Sequence, residues 1–267
     1  MAVLTISREH GTGGEFIGRL IAERLQYRYV DKETLYQEIA KSGPRWERSA
    51  RELDEVCPTF WERHDWEYRG YVALMESKIL DYAAADRAVI VGRAGSILLK
   101  EVPFCLRVRL IAPLESRIER LRERENLTPK AARRLIKQLD RDRAGYYKVN
   151  YGSSWKKDEG YDMTINTATL SFEQVAENLM AALAEKDLLV TPASLEELEH
   201  LALAYRLKAR LATEPRLFIP TLKVKLEDGL IKVTGIVHIP EEIETAQQIA
   251  QEVCGDYPYR LNLQHRF

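Results

Sequence analysis

The stretch ISREHGTGGEFIG, Ile6 to Gly18, decides how the rest of the chain is read. It follows the apolar run AVLTIS and opens EFIGRLIAERL, in which Phe16, Ile17, Leu20, Ile21 and Leu25 recur at helical spacing. Strand, glycine turn and helix form the setting of a phosphate-binding loop. Its pattern is G-x-x-x-x-G-K-[ST]: backbone N–H groups wrap the phosphates, a Lys reaches the terminal oxygens and a hydroxyl serves Mg²⁺. With Gly11 and Gly13 in the loop positions, Gly14 stands where the Lys belongs and Glu15 where the hydroxyl belongs. Gly11, Gly13 and Gly14 can still present N–H groups at a helix N-terminus, where the dipole favours an anion. The stretch therefore reads as a phosphate cradle whose cation has moved. Arg8 is the nearest replacement, Thr12 offers a hydroxyl to a nucleotide or its metal, and His10 can reach a phosphate or a base. Glu15 either meets Mg²⁺ or, as an acid in a first helical turn, faces solvent, and the dipole favours the second. No protein-built metal site is expected.

A chain of 267 residues, 45% hydrophobic and 30% charged, folds as one or two globular domains. It has no apolar run of membrane-spanning length and no basic or cleavable leader in MAVLTISREHG, so a cytoplasmic location is expected. Cys57, Cys105 and Cys254 are far apart without a C-x-x-C, which argues against disulfides and structural zinc. Net charge is −1, but Glu115 to Lys148 holds eleven Lys and Arg against six Asp and Glu. An anion visits that segment. Acids dilute its basic residues and the whole chain is not basic, so nucleic acid is not an expected partner.

Further along, Tyr27 to Val30, RAVIVGRAG from Arg87 and FCLRVRLIA from Phe104 read as strands, and YDMTINT from Tyr161 as a last one. Between them lie a charged helix from about Leu114 to Glu125 and a second from Pro129 to about Tyr147, started by Thr128 before Pro129. Ser171 to Gln174 has capping-box spacing. The aromatic stretch from Lys41 to Arg69 has no clean period and reads as helical; its role as acceptor pocket, dimer surface or core stays open. Alternating strands and helices predict a parallel sheet with helices on both faces. After KDLLVTPAS the pattern changes. A capping box at Ser194–Glu197 opens a helix, Asp228-Gly229 turns a hairpin within LKVKLEDGLIKVTGIV, and Pro240 starts a helix before a final strand. The expected division is 1–187, a linker at 188–194, and 195–267.

The motifs ISREHGTGG, YVDKETL, VIVGRAG, RDRAGYYKVNYG and YDMTINTATLS stand in order through residues 1–187 and resemble the cytidylate kinase-like branch of the P-loop nucleoside monophosphate kinases. The resemblance implies a P-loop NTPase-type α/β domain with a helical lid, nucleotide substrates, ATP as phosphoryl donor and Mg²⁺ carried with it. CMP or dCMP as acceptor rests on the resemblance alone. It also implies that Arg93 holds the acceptor phosphate and that Asp31 helps shape the acceptor pocket, besides capping the next helix. The hairpin bearing Arg117, Arg120, Arg133, Arg134, Arg141 and Arg143 looks like the lid. Arg141 and Arg143 are chosen because RDR precedes an aromatic turn, and with Arg8 they form the expected catalytic set. Tyr146, Tyr147, Tyr151 and Trp155 either stack on a base or pack. The absent Lys supports an alternative, a nucleotide-binding regulatory protein. LALAYRLKARLATEPR, VKLEDGLIKVTGIV and the helix ending IAQEVCG resemble a BON domain, a small α+β module, which implies a protein or membrane-surface partner.

Overall fold

The computed structural model describes residues 1–53, 56–85, 87–156 and 160–265. In chain order the first elements are β1 (Val3–Arg8), α1 (Gly14–Leu25), β2 (Arg28–Val30), α2 (Lys32–Ala40), α3 (Pro44–Glu52), α4 (Trp66–Ala84) and β3 (Ala88–Val91). Next come α5 (Gly95–Leu98), β4 (Cys105–Ile111), α6 (Leu114–Glu125), α7 (Pro129–Tyr151), β5 (Met163–Asn166) and α8 (Phe172–Asp187). The chain ends with α9 (Pro192–Thr213), β6 (Lys223–Glu227), β7 (Leu230–Val237), α10 (Pro240–Cys254) and β8 (Tyr259–His265). Two compact units result: residues 1–34, 54–58 and 85–190, and residues 35–53, 59–84 and 191–267.

The first unit is built on a parallel sheet in the order β2-β3-β1-β4-β5. β1 is central because every one of its first five residues is buried, as a strand covered on both faces requires. Leu4 and Ile6 face α1 and α8 in a core with Ile17, Ile21, Val175 and Leu179. Thr5 and Ser7 point the other way. There the start of α5 comes close: a Cβ on Gly95 would lie 3.3 Å from Thr5 Cγ2. The sequence of α1, β1 and β3 before β4 puts the order reversal at β1, so the loop after β1 opens at the carboxyl edge of the sheet, where α/β proteins bind ligands. Thr128 caps α7 by accepting from the Ala131 N–H at 3.2 Å, and the box at Ser171 and Gln174 is formed in both directions. α7 runs to Tyr151, one turn past its predicted end.

In the second unit α9 is capped by Thr191 with Ser194 at the third helical position, so the helix begins at Pro192, ahead of the predicted Ser194–Glu197 box. Pro192 fits the first helical position and draws the start forward. The polar stretch after Lys41 divides into α3, a 3₁₀ turn at Glu62–His64 and the front of α4. α4 is buried almost all round, from Tyr68 and Tyr71 to Ile79 and Ala83, which removes the one-sided stripe that would announce it. It packs with α3 and α9. A Cβ on Gly70 would lie 2.4 Å from Trp46 and 3.4 Å from the Ala212 carbonyl. Asp228 and Gly229, at φ 52° and 70°, turn β6 into β7. β6, β7 and β8 make a three-stranded sheet with α9 and α10 over one face, around Leu207, Leu211, Ile231, Val233, Ala246 and Ile249.

Among the described residues no helix is long and apolar enough to cross a membrane. Cys105 and Cys254 are buried thiols and Cys57 is half-buried, each unbridged.

α4 and α9 also share an ion pair, Lys208 Nζ to Glu76 Oε2 at 2.6 Å, with the Glu76 side chain 4% exposed and that of Lys208 24%. Removing one partner strands a buried charge, whereas replacing both by apolar groups does not. Lys208→Met should lower unfolding free energy by about 2–3 kcal/mol, moderated by the partial solvation of Lys208, and adding Glu76→Met should recover most of it. Denaturant midpoints of the two variants check this.

Candidate functional site: an anion cradle after the first strand

At Arg8 the chain leaves β1 and reaches α1 through five residues. Gly11 and Gly13 hold φ of 86° and 82°, a region that L side chains enter at a cost of roughly 1–2 kcal/mol. Space forbids a side chain as well. A Cβ on Gly11 would lie 3.2 Å from Arg117 Cβ, and one on Gly13 would lie 2.3 Å from the Phe172 ring. Thr12 is 1% exposed and its hydroxyl donates to the Glu9 carbonyl at 2.8 Å, closing the turn from inside. The loop wraps a cavity of about 300 Å³ at the N-terminus of α1. Residues 8–16 form its wall, Arg124 and Arg143 enter from α6 and α7, and Phe16 and Phe172 supply an apolar side. These rings are 5.7 Å apart, and Arg120 stands 5.0 Å over Phe172.

Behind the cavity an ionic cluster ties the loop to the hairpin. Arg117, 7% exposed, donates to Asp140 Oδ2 at 2.6 Å, to the His10 carbonyl at 3.3 Å and to the Ala112 carbonyl at 3.0 Å. Asp140 Oδ1 accepts the His10 backbone N–H at 2.9 Å. Glu9 lies between Arg117 and Arg109, at 3.5 and 3.7 Å. Burial pushes the His10 imidazole pKa from its ordinary 6.5 down to about 4, helped by Arg143 and Arg124. At neutral pH His10 is therefore uncharged, and the charge offered to an anion comes from guanidinium groups.

Arg8, His10, Gly11, Thr12, Gly13, Gly14, Glu15 and Arg143 line this one cavity. Glu15 is exposed at its edge, and the Thr12 hydroxyl donates to the Glu9 carbonyl. Arg141 does not line it. Asp140 and Arg143 share one face of α7, and Arg141 falls on the exposed side because the helix continues through RDR rather than ending before it. Asp31 caps α2 by accepting from Thr34 N–H and Oγ1 at 3.0 and 3.1 Å, and pairs with Arg19 at 2.8 Å. Arg93 follows β3, is 2% exposed and has φ 56°, between Gly92 at 81° and Ala94 at 57°. Two non-glycine residues in that region cost about 1–3 kcal/mol each, the kind of strain that concentrates at working sites.

Tyr146, Tyr147, Tyr151 and Trp155 pack on one another at 6.1 to 6.5 Å, and Trp155 Nε1 donates to Ser7 Oγ at 2.9 Å. They are packing groups. Sequence reasoning missed Glu9, Arg109, Asp140 and Arg124. For Asp140 a signal existed: it lies one turn before Arg143 and one after the buried Ile136, on a single helical face.

A five-stranded parallel sheet in this order, with a glycine loop after its central strand, is a P-loop kinase-like α/β fold. The cytidylate kinase-like family model matches residues 3–169, and the chain belongs to that family. It is 26% identical over 172 residues to the cytidylate kinase of Methanocorpusculum labreanum, covering 64% of this chain and 90% of that one. It is also 34% identical over 108 residues to the uronate isomerase of Corynebacterium glutamicum, which is 40% of this chain but 21% of that protein. A crystal structure of a protein from Eubacterium ventriosum has the same fold, with TM-score 0.56 and 22% identity over 69% of this chain and 98% of that one.

Gly13→Ala should disrupt the cradle beyond the cost of its φ. Gly152, at φ 64° with nothing within 4 Å of a Cβ, is the comparison. Gly152→Ala should lose about 1–2 kcal/mol of stability, and Gly13→Ala should lose more and also weaken anion binding, as denaturation and titration calorimetry will read.

His10 sets a pH dependence. Its pKa is lower folded than unfolded, so below pH 6.5 the unfolded chain binds a proton that the folded chain refuses until about pH 4. Stability is fully present above pH 6.5 and falls as pH drops towards 4, by about 1–2 kcal/mol after allowing for partial solvation. The difference between wild type and His10→Gln, followed by denaturation across that range, isolates the effect.

Proposed function

We propose that the chain is a cytoplasmic, ATP-dependent nucleoside monophosphate kinase of cytidylate type, moving the ATP γ-phosphate to CMP, dCMP or a related acceptor. One observation carries this reading: Arg8, Arg124 and Arg143, from β1, α6 and α7, converge on a glycine cradle at a helix N-terminus. Phosphoryl transfer asks a protein mainly for positioning and for positive charge around the moving group. The backbone N–H groups of the loop orient the phosphates, and the arginines supply the charge that the loop lacks where Gly14 replaces Lys. Arg141, exposed on α7, has no part in it. Arg93 and Asp31 are assigned to the acceptor, Arg93 through its planar guanidinium and Asp31 through the capped start of α2.

Mg²⁺ brought in with the nucleotide would help neutralise the negative charge of the donor. Among the described residues no three His, Cys, Asp or Glu side chains are grouped to hold a metal ion; Thr12 donates its hydroxyl proton to the Glu9 carbonyl, which leaves the oxygen's lone pairs available. We assign the ion to the nucleotide, with the Thr12 hydroxyl oxygen as the loop group that would reach it.

Glycine in the lysine position favours a second reading, a nucleotide-binding regulator with weak transfer. In either reading residues 195–267 are assigned as a BON-like module that meets a protein or a membrane surface, with 188–194 as the link from residues 1–187. ADP release from ATP and Mg²⁺ against a panel of ribo- and deoxyribo-monophosphates separates the two. A kinase gives acceptor-dependent release, reduced about 10²-fold in Arg143→Ala and little changed in Arg141→Ala. Saturable ATP binding without acceptor-dependent release leaves the regulator.

A further inference from the structure

The two edges of the C-terminal sheet are unlike. β6 is five residues long and shows Lys223 and Lys225 on its exposed side, the usual guard of a strand edge. β8 is seven residues long, contains no proline, and carries Arg260 as its cation. Among the described residues no strand pairs with its outer side. Its inward leucines show the consequence. On the central strand Ile231, Val233 and Val237 are 0% exposed, whereas Leu261 and Leu263, in the same core, are half-buried.

The backbone orientation of β8 follows from its pairing. Ile231 is in parallel register with Tyr259, and the Ile231 N–H donates to the Pro258 carbonyl at 3.1 Å. In such a ladder the residue in register turns its own N–H and C=O away from the partner. Tyr259, Leu261 and Leu263 therefore direct theirs to the outer edge, with His265 following the alternation.

We propose that β8 pairs antiparallel with β8 of a second copy about a two-fold axis at Asn262, joining two sheets into one of six strands. An antiparallel partner must set outward-directed residues opposite one another. This register does so along the strand: Leu261 of one copy faces Leu263 of the other, and Tyr259 faces His265. The half-buried leucines meet leucines. On the other face Arg260 meets Gln264 and Asn262 meets Asn262, so no like charges are opposed. A strand that satisfies its own edge in this way makes an isologous contact.

Sedimentation of the full chain over a concentration series should show a reversible monomer–dimer equilibrium. Asn262→Asp places two carboxylates face to face without touching the core, and should weaken the dimer about three- to ten-fold. Asn262→Cys provides a second readout that depends on register. A non-hydrogen-bonded pair sets Cα atoms about 4.5 Å apart, within disulfide range. Mild oxidation should cross-link Asn262→Cys well above wild type, and Arg260→Cys and Gln264→Cys little. A monomer at every concentration, including one that takes up an extended peptide of another protein, overturns the proposal. So does a dimer indifferent to Asn262→Asp, or cross-linking that favours position 260 or 264.

Discussion

Arg117 joins the glycine loop after β1 to the hairpin of α6 and α7. Its guanidinium sits under the glycine loop, and its own Cβ occupies the space that a side chain at Gly11 would need. Taking such a charge out of water is expensive, and single partners seldom compensate it. Here Asp140, Glu9 and two backbone carbonyls share the task. Because Asp140 belongs to α7 and also binds the His10 N–H, the hairpin cannot shift without disturbing the loop. The positions of Arg124 and Arg143 at the cavity follow from that tie.

The same cluster explains what charge remains for a ligand. Glu9 is held between Arg109 and Arg117, so its carboxylate is balanced behind the loop. His10 stays neutral because its surroundings are already cationic and buried. A lysine in the loop would be one compact charge on a flexible stem. Arginines brought from other elements present flat, multidentate donors whose placement depends on the fold. Charge of this second kind is available only while the hairpin is docked.

Local chemistry made much of the fold legible. The turn after β1, the Thr128 cap, the Ser171 box and the Asp228-Gly229 hairpin are each written in a few neighbouring residues, and each forms. What escaped depends on neighbours distant in sequence. α4 has apolar and small residues on all sides because several partners surround it, and so it lacks a helical stripe. Asp140 alone in a charged helix reads as a solvated acid; Arg117, 23 positions away, and the His10 N–H make it structural. Arg141 and Arg143 look equivalent in RDR, and the continuation of α7 to Tyr151 separates them onto different faces.

The C-terminal segment is more than an appendage to the family fold. The family model ends at residue 169, yet α4, which lies inside that span, is packed against α9, which lies beyond it. Glu76 makes the dependence chemical as well as steric, since its carboxylate is buried on a helix inside the family segment and its cation, Lys208, comes from outside it. A protein ending near residue 190 would have to solvate or neutralise that carboxylate and cover the apolar surface around it. α9 therefore contributes to how α4 is packed.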